Sequence, residues 1–136
     1  MKMTHGPCIV DWVIGQISDK IGFDNPIGMG VMSDDGEILA GVVLDNYRIE
    51  SNSICASIAI TDAKAFSKRI INALFDTAFI KIGVERITCM IEVDNHKSNS
   101  LTSRLGFTQE GVMRRASFNK KDLVVYGMLK EDCKWI

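Results

Sequence analysis

At 136 residues the chain is long enough for one domain with a sizeable core, and too short for a second. Its formal net charge of −1 offers no positive field for nucleic-acid phosphates or an anionic membrane surface, so nucleic acid is a disfavoured partner. No apolar run approaches the roughly 20 residues that span a bilayer, and the N-terminal residues lack a secretory core. We therefore expect a cytoplasmic protein with no membrane partner.

The first half of the chain predicts a helix followed by an antiparallel meander. From Ile9 to Ile21, apolar residues recur at three- and four-residue steps, as they do on one face of a helix, and Gly22 ends the pattern. Gly36 supplies the positive φ that a hairpin turn needs. The predicted strands are 27–32, 38–47 and 53–60.

The second half predicts a long helix over 63–82, which Gly83 ends, and a buried strand over 86–93. A short helix capped by Ser98 then runs to Gly106. Two further strands, 107–118 and 123–129, form a hairpin, and the charged tail contains Trp135 and Ile136, which we expect to dock on the core.

Asn95 opens the most specific stretch of the sequence. It lies in the spacing Asn95-x-x-Ser98-x-x-x-x-x-x-Leu105-Gly106-Phe107, which Glu110-Gly111 follows. This stretch resembles the second half of the GNAT superfamily of acyl-CoA-dependent N-acyltransferases. The C-terminal segment, with its Tyr126-Gly-Met-Leu strand and Trp near the end, is also similar to the compact acetyltransferases of bacteriophages and prophages.

The resemblance implies an α/β (α+β) fold of the GNAT type. Its mixed, mostly antiparallel central sheet would have about six strands with a splayed parallel pair, flanked by three helices. The parallel pair would be strands 53–60 and 86–93. The usual first strand of the family would be missing or reduced to Pro7–Ile9. The whole chain, 1–136, would form one acyltransferase domain.

The resemblance also implies acetyl-CoA as the co-substrate, bound between the splayed strands, with no metal. The cysteines and histidines show no metal-ligand spacing, so free thiols are expected. Asp62 stands where the family carries Gln or Arg in its pyrophosphate loop, which leaves an ordinary helix start as the alternative for that loop. The implied cofactor contacts are Ile58, Ala59, Ile60, Lys64, Ala65, Phe66, Ser67, Lys68, Asn95, Ser98 and Arg104.

The implied reaction moves an acyl group from a thioester to an amine, so it needs a base for the amine and benefits from an acid for the thiolate. Glu92, Ser98 and Tyr126 are the candidate catalytic residues. Each has a structural alternative: Glu92 as a solvent-facing strand residue, Ser98 as a helix cap and Tyr126 as a core-edge aromatic. Thr102 occupies the position where many GNAT enzymes carry a tyrosine acid.

Two functions remain open at this stage. The first is an N-acetyltransferase that acts on a primary amine of a small molecule, peptide or protein. The second is a non-catalytic GNAT-fold binding protein, phage-encoded and acting on a host partner. The exposed edges of a meander also allow a homodimer.

Overall fold

The chain forms a seven-stranded sheet with helices on both faces. A computed structural model describes residues 1–17 and 22–136. The strand order is β1-β2-β3-β4-β5-β7-β6, with β4 and β5 parallel. The strands are β1 (Lys2–His5), β2 (Ile27–Met32), β3 (Ile38–Arg48), β4 (Ser53–Ile60), β5 (Arg86–Glu92), β6 (Thr108–Met113) and β7 (Leu123–Leu129). The α-helices are α1 (Pro7–Ile17), α2 (Lys68–Phe75) and α3 (His96–Leu105).

The predicted fold class is confirmed, with one strand added. The sheet has seven strands, close to the six expected. The expectation that the first strand is missing or reduced to Pro7–Ile9 is wrong, because β1 pairs antiparallel with β2 from Lys2 to His5. This short segment has no apolar alternation of its own, and its pairing with β2 supplies the backbone bonds. Pro7 instead begins α1, where its missing N–H has no intrahelical partner to lose. The last part of the predicted first helix, 18–21, lies outside the described residues.

Helix α1 packs directly on one face of β2, β3 and β4. Ile9 and Val13 are fully buried there. Gly30 and Gly41 make the close approach possible: a Cβ at Gly41 would lie 2.8 Å from the Val13 side chain, and one at Gly30 the same distance from that of Ile9. The apolar face predicted for this helix therefore covers the first half of the sheet.

The opposite face of the sheet carries α2, α3 and the larger core. The long helix predicted over 63–82 is broken: a 3-10 turn spans Ala63–Ala65, α2 follows from Lys68, and Asp76–Ile82 is π-helical. Gly83 ends the segment with φ 84°, as predicted. Apolar spacing alone does not distinguish these helix types, because α and π turns bury nearly the same residues over one or two turns.

Phe75 lies at the centre of the larger core. It is fully buried, and its ring stacks on Phe79 and Trp135 with centroids 6.2 and 6.4 Å away. The Trp135 indole N–H also donates to the Leu105 carbonyl over 2.8 Å. The docking predicted for Trp135 is therefore confirmed, whereas Ile136 stays half exposed.

The last hairpin is shorter than predicted, because β6 ends at Met113 and residues 114–122 form an ordered loop. The Arg115 N–H donates to the Asp122 carboxylate over 2.9 Å, and the Val93 N–H donates to the Asp122 carbonyl over 3.0 Å. This loop, called the β6–β7 loop below, is thus fastened to the end of β5. None of the helices in residues 1–17 and 22–136 has the length and apolar character to cross a bilayer.

Candidate active site

Strands β4 and β5 separate after a short parallel pairing. Their register joins Ser53 to Arg86, Ile54 to Ile87 and Cys55 to Thr88. Beyond Cys55, β4 stays bonded to β3, and beyond Thr88, β5 stays bonded to β7. The facing edges of 56–60 and 89–92 therefore diverge into a V, called the cleft below. Free backbone donors and acceptors on such an edge can pair with an extended ligand.

The predicted pantetheine contacts Ile58, Ala59 and Ile60 lie on the β4 edge of this cleft. Ile58 and Ile60 are half-buried against the larger core, and Ala59 packs on the α1 side. The two alternating faces of β4 thus close the cleft from above and below with apolar side chains. The structure places these three residues where β4 no longer pairs with β5, and their contact with a cofactor stays a prediction.

The segment after β4 forms the candidate phosphate loop. The Asp62 carboxylate accepts the Lys64 N–H over 3.0 Å and so caps the 3-10 turn. Ser67 precedes α2 in an extended conformation, and its side chain makes no capping bond. The first N–H groups of a helix have no intrahelical partner, so those of α2 remain available to an anion.

Side chains in this loop divide into two sets. Lys64, Ser67 and Lys68 are exposed beside the start of α2, where cations would reach a phosphate. Ala65 is buried and Phe66 packs on the core, so they hold the loop in place from beneath. Of the loop residues predicted to bind the cofactor, the two lysines and the serine face the solvent.

Asn95, and not Ser98, caps α3. The Asn95 Oδ1 accepts the Ser98 N–H over 3.3 Å, and the helix begins at His96. The prediction that Ser98 caps this helix is therefore wrong by three positions. The reason is local: asparagine competes as well as serine for the capping position, and here the chain leaves the strand at Asn95. Asn95 is exposed at the open end of β5, as a cofactor contact requires.

Glu92 holds the β6–β7 loop. Its carboxylate accepts the Ser117 hydroxyl over 2.8 Å and the Asn119 amide over 3.3 Å. Two residues later, Asp94 pairs with Lys121, an ion pair that lowers the pKa of Asp94 and raises the pKa of Lys121. The carboxylate predicted as a base is thus an anchor at the cleft end of β5, and its role in proton transfer stays a prediction.

Hydroxyl groups near the cleft are already engaged. Thr102 is buried and donates to the Ser98 carbonyl over 2.8 Å. Tyr126 is also buried, and its hydroxyl donates over 2.6 Å to the side chain of Asn99, a residue that the sequence analysis did not single out. Arg104 is exposed in the last turn of α3. The spacing Asn95-x-x-x-Asn99, which puts both amides on one side of a helical turn, is the signal that could have identified Asn99.

Two free thiols flank the apex of the cleft. Cys55 belongs to the last paired rung of β4, and burial raises its pKa. Cys89 is the first β5 residue beyond the pairing, and burial raises its pKa to about 12. A thiol must be a thiolate to act as a nucleophile, so neither is arranged for covalent catalysis at neutral pH. Within residues 1–17 and 22–136, no three metal-ligating side chains converge.

Asp45 is a buried carboxylate on β3 beside Cys55. It accepts the Asp24 N–H over 3.1 Å, while the Asn46 N–H donates to the Asp24 carbonyl over 3.0 Å. Asp45 thereby ties the segment after α1 to the sheet. Desolvation by burial raises its pKa above the ordinary 3.8, which outweighs the lowering by the Asp24 bond.

We expect Asp45→Asn to raise the free energy of unfolding at neutral pH. The charged form is disfavoured in the folded state, so the wild type gains stability only as pH falls through the raised folded pKa toward 3.8. Asparagine keeps an acceptor for Asp24 without the charge. Urea unfolding over a pH series should show the advantage shrinking as pH falls through that window, with exposed Asp35→Asn as the control. A variant less stable than wild type at neutral pH would contradict this account.

A mixed sheet with one splayed parallel pair, each strand of which leads into a helix, is the arrangement of the GNAT fold. Solved structures of spermidine N-acetyltransferase SpeG from Vibrio cholerae share it. The superposition on a variant of that enzyme covers 100% of this chain and 98% of the enzyme's chain, with a TM-score of 0.77 at 16% identity. The spermidine/spermine N-acetyltransferase SpeG with manganese covers 96% and 92%, with a TM-score of 0.77 at 18% identity. The chain has the GNAT fold, and the predicted resemblance is confirmed at that level.

In sequence, the chain is similar to an uncharacterised N-acetyltransferase, YoaA, of Bacillus subtilis, with 31% identity over 68 residues. The match spans 48% of this chain and 38% of the relative's length. The chain matches no protein-family model. At identities of 16% and 18%, the likeness to SpeG carries the fold and not the activity.

Proposed function

We propose that residues 1–136 form an acyl-CoA-dependent N-acyltransferase domain that moves an acetyl group from acetyl-CoA to a primary amine. The single observation that carries this proposal is the cleft, where β4 and β5 lose their mutual pairing after Cys55 and Thr88. The open edge of β4 suits the amide-bearing pantetheine arm, which can add to it as an extra strand. The similarity to an N-acetyltransferase supports the same reaction.

The residues present fit such a ligand in three places. Ile58 and Ile60 give an apolar wall beside free backbone groups. Lys64 and Lys68 stand at the uncapped start of α2, where the pyrophosphate would lie. Asn95, exposed at the end of β5, would donate its amide to the pantetheine arm.

In the proposed reaction the amine nitrogen attacks the thioester carbonyl carbon, the C–N bond forms, and the C–S bond breaks to release the thiolate. The amine must lose one proton, and the thiolate gains one. Glu92 remains the candidate base at the cleft end of β5, provided that the β6–β7 loop releases its carboxylate. Ser98 on α3 and Tyr126 on β7 remain the candidates for contact with the departing sulfur.

For the acceptor, we propose an amine that carries a second positive charge. The neighbours in structure are named as spermidine N-acetyltransferases, which makes polyamines the first acceptors to test.

Isothermal titration of the purified, CoA-free protein with acetyl-CoA tests the proposal. We expect micromolar binding that weakens by about tenfold in Asn95→Ala, the loss of one hydrogen bond to a ligand. An assay of released thiol with spermidine, simple amines and N-terminal peptides then identifies the acceptor. A folded protein that shows no binding at millimolar acetyl-CoA would exclude the transferase.

The alternative function is a GNAT-fold binding protein without catalysis. Asp62 in the phosphate loop and the engaged hydroxyl of Thr102 favour it, because both depart from the family's catalytic pattern. A phage origin and a host partner stay predictions under this alternative. The homodimer also stays a prediction, which the fully exposed edge strand β6 supports.

A further inference from the structure

The Asn99 side chain joins three separate elements. Its amide nitrogen donates to the Glu92 carbonyl over 3.0 Å and to the Asn95 carbonyl over 2.8 Å, and its oxygen accepts the Tyr126 hydroxyl over 2.6 Å. Both amide hydrogens are therefore used, and the bonds reach β5, the cap of α3 and β7. The amide of an asparagine on the exposed surface of a helix would bond to water instead of to two backbone carbonyls.

The two carbonyls that Asn99 holds belong to one turn. The Glu92 carbonyl also accepts the Asn95 N–H over 3.0 Å, which closes the turn that leads from β5 into α3. The Asn95 carbonyl also accepts the Asn99 N–H over 3.0 Å, the first bond of the helix. Asn99 therefore adds a second donor to the Glu92 carbonyl and to the Asn95 carbonyl, and it restrains the backbone from which the Asn95 side chain projects.

Tyr126 fixes Asn99 in turn. Its ring is buried in the larger core opposite Cys89, and its short hydroxyl bond holds the amide oxygen of Asn99. The amide nitrogen points at the turn, because a flipped amide would set its oxygen against the Glu92 and Asn95 carbonyl oxygens, which can only accept. The Tyr126 and Asn99 side chains thus connect the rigid sheet to the turn at the open end of the cleft.

We propose that Asn99 is a positioning residue, which fixes the first turn of α3 against the end of β5 and thereby orients Asn95 toward the cleft. The second half of this inference rests on the proposed acyl-CoA binding, and the first half does not. Asn99 itself needs no contact with the ligand. Its effect passes through the backbone of Asn95.

Amide hydrogen exchange tests the first half in the ligand-free protein. In Asn99→Ala we expect the amides of Asn95, Ser98 and Asn99 to exchange about tenfold faster, since each protected N–H depends on the turn that Asn99 restrains. Amides in β3, far along the sheet, should keep their protection. Ser100→Ala, an exposed substitution one residue along the same helix, is the matched control and should change none of them.

Acetyl-CoA titration tests the second half. Asn99→Ala should weaken binding about tenfold, as Asn95→Ala does, and the double variant should lose little more than either single one, because the two residues act as a unit. Ser100→Ala should bind as the wild type does. Additive losses in the double variant would show that Asn99 acts independently of Asn95 and would overturn the inference.

Asn99→Asp adds a readout that simple loss of stability would not move. The carboxylate keeps an acceptor for Tyr126 and loses both donors, whereas the protonated acid regains one donor. Its affinity for acetyl-CoA, relative to wild type at each pH, should therefore rise as the pH falls. Dividing the affinity of the variant by that of the wild type at the same pH cancels the pH effects that both proteins share. The ionisable groups near Asn99 are Glu92, Asp94, His96 and Tyr126.

The two proposals fail in different ways. Unchanged exchange at Asn95 and Ser98 in Asn99→Ala overturns the positioning role, whether or not the protein binds acetyl-CoA. Faster exchange in a protein that never binds acetyl-CoA confirms the turn and overturns both the orientation of Asn95 toward a ligand and the proposed transferase.

Discussion

Reversal of charge at Lys64 and Lys68 should weaken acetyl-CoA binding by at least about 100-fold, since a bond between charged groups contributes roughly 1.5–3 kcal/mol and two are lost. Both side chains are exposed beside the start of α2, and Ser67 makes no side-chain bond that caps this helix. Lys64→Glu with Lys68→Glu replaces attraction of the pyrophosphate by repulsion. Titration at low and at moderate salt measures the loss, which should be larger at low salt because ions screen exposed charges.

A matched reversal separates this local effect from the change in net charge. Lys2→Glu with Lys130→Glu alters the total charge equally, at two exposed positions on β1 and after β7. We expect this pair to bind acetyl-CoA nearly as the wild type does. Equal weakening by both pairs would place the phosphates elsewhere or reduce the effect to long-range attraction. The start of α2 would then have no special role.

Phe75→Ala should produce the largest loss of stability, a decrease of about 3–5 kcal/mol in the free energy of unfolding. The ring is fully buried and touches aromatic rings from three other parts of the chain. It stacks on Phe79 and Trp135, and the Phe107 ring packs on it at a tilt of 41°. The surrounding side chains relax only partly into such a space, so a cavity remains. Thermal unfolding should shift down by about 10–15 °C.

Phe118→Ala provides the comparison for this loss, because it deletes the same atoms from a side chain that is 38% exposed on the β6–β7 loop. It should cost about 1 kcal/mol or less, as substitutions at partly exposed positions do. Similar losses in the two variants would mean that the core does not depend on Phe75. Near-ultraviolet circular dichroism should also change more in Phe75→Ala, since that residue orders three aromatic neighbours.

The sequence allowed the sheet to be predicted well where apolar alternation and turn residues agree. The strand over 53–60 has the predicted bounds, and Gly83 and Gly106 end their segments with positive φ. These features depend on local chemistry, which a single sequence displays directly. The strand Lys2–His5 has no such pattern of its own. It forms because the edge of β2 is free to pair with it, and the periodicity of a sequence does not reveal which strands pair.

The candidate site was predictable in its outline and not in its hydrogen bonds. The spacing from Asn95 to Phe107 located the end of the splayed strand, and the structure places Asn95 there. Which of two capping residues would act, and that Glu92 would hold Ser117, depend on contacts between residues far apart in the chain. Asn99 and Asp45 were not predicted for the same reason, since their partners Tyr126 and Asp24 lie 27 and 21 positions away in the chain.

Cys89 has a consequence for experiments on this protein. Its thiol lies on the cleft strand β5 and is 5% exposed, with a pKa of about 12 because of burial. Alkylating reagents react with the thiolate, and burial both shields this sulfur and keeps it protonated. The sulfur therefore reacts only when the sheet opens. The rate at which Cys89 becomes labelled under native conditions therefore measures how often the sheet opens, and the experiment needs no substitution. Cys8, which is exposed, labels at once and supplies the internal reference.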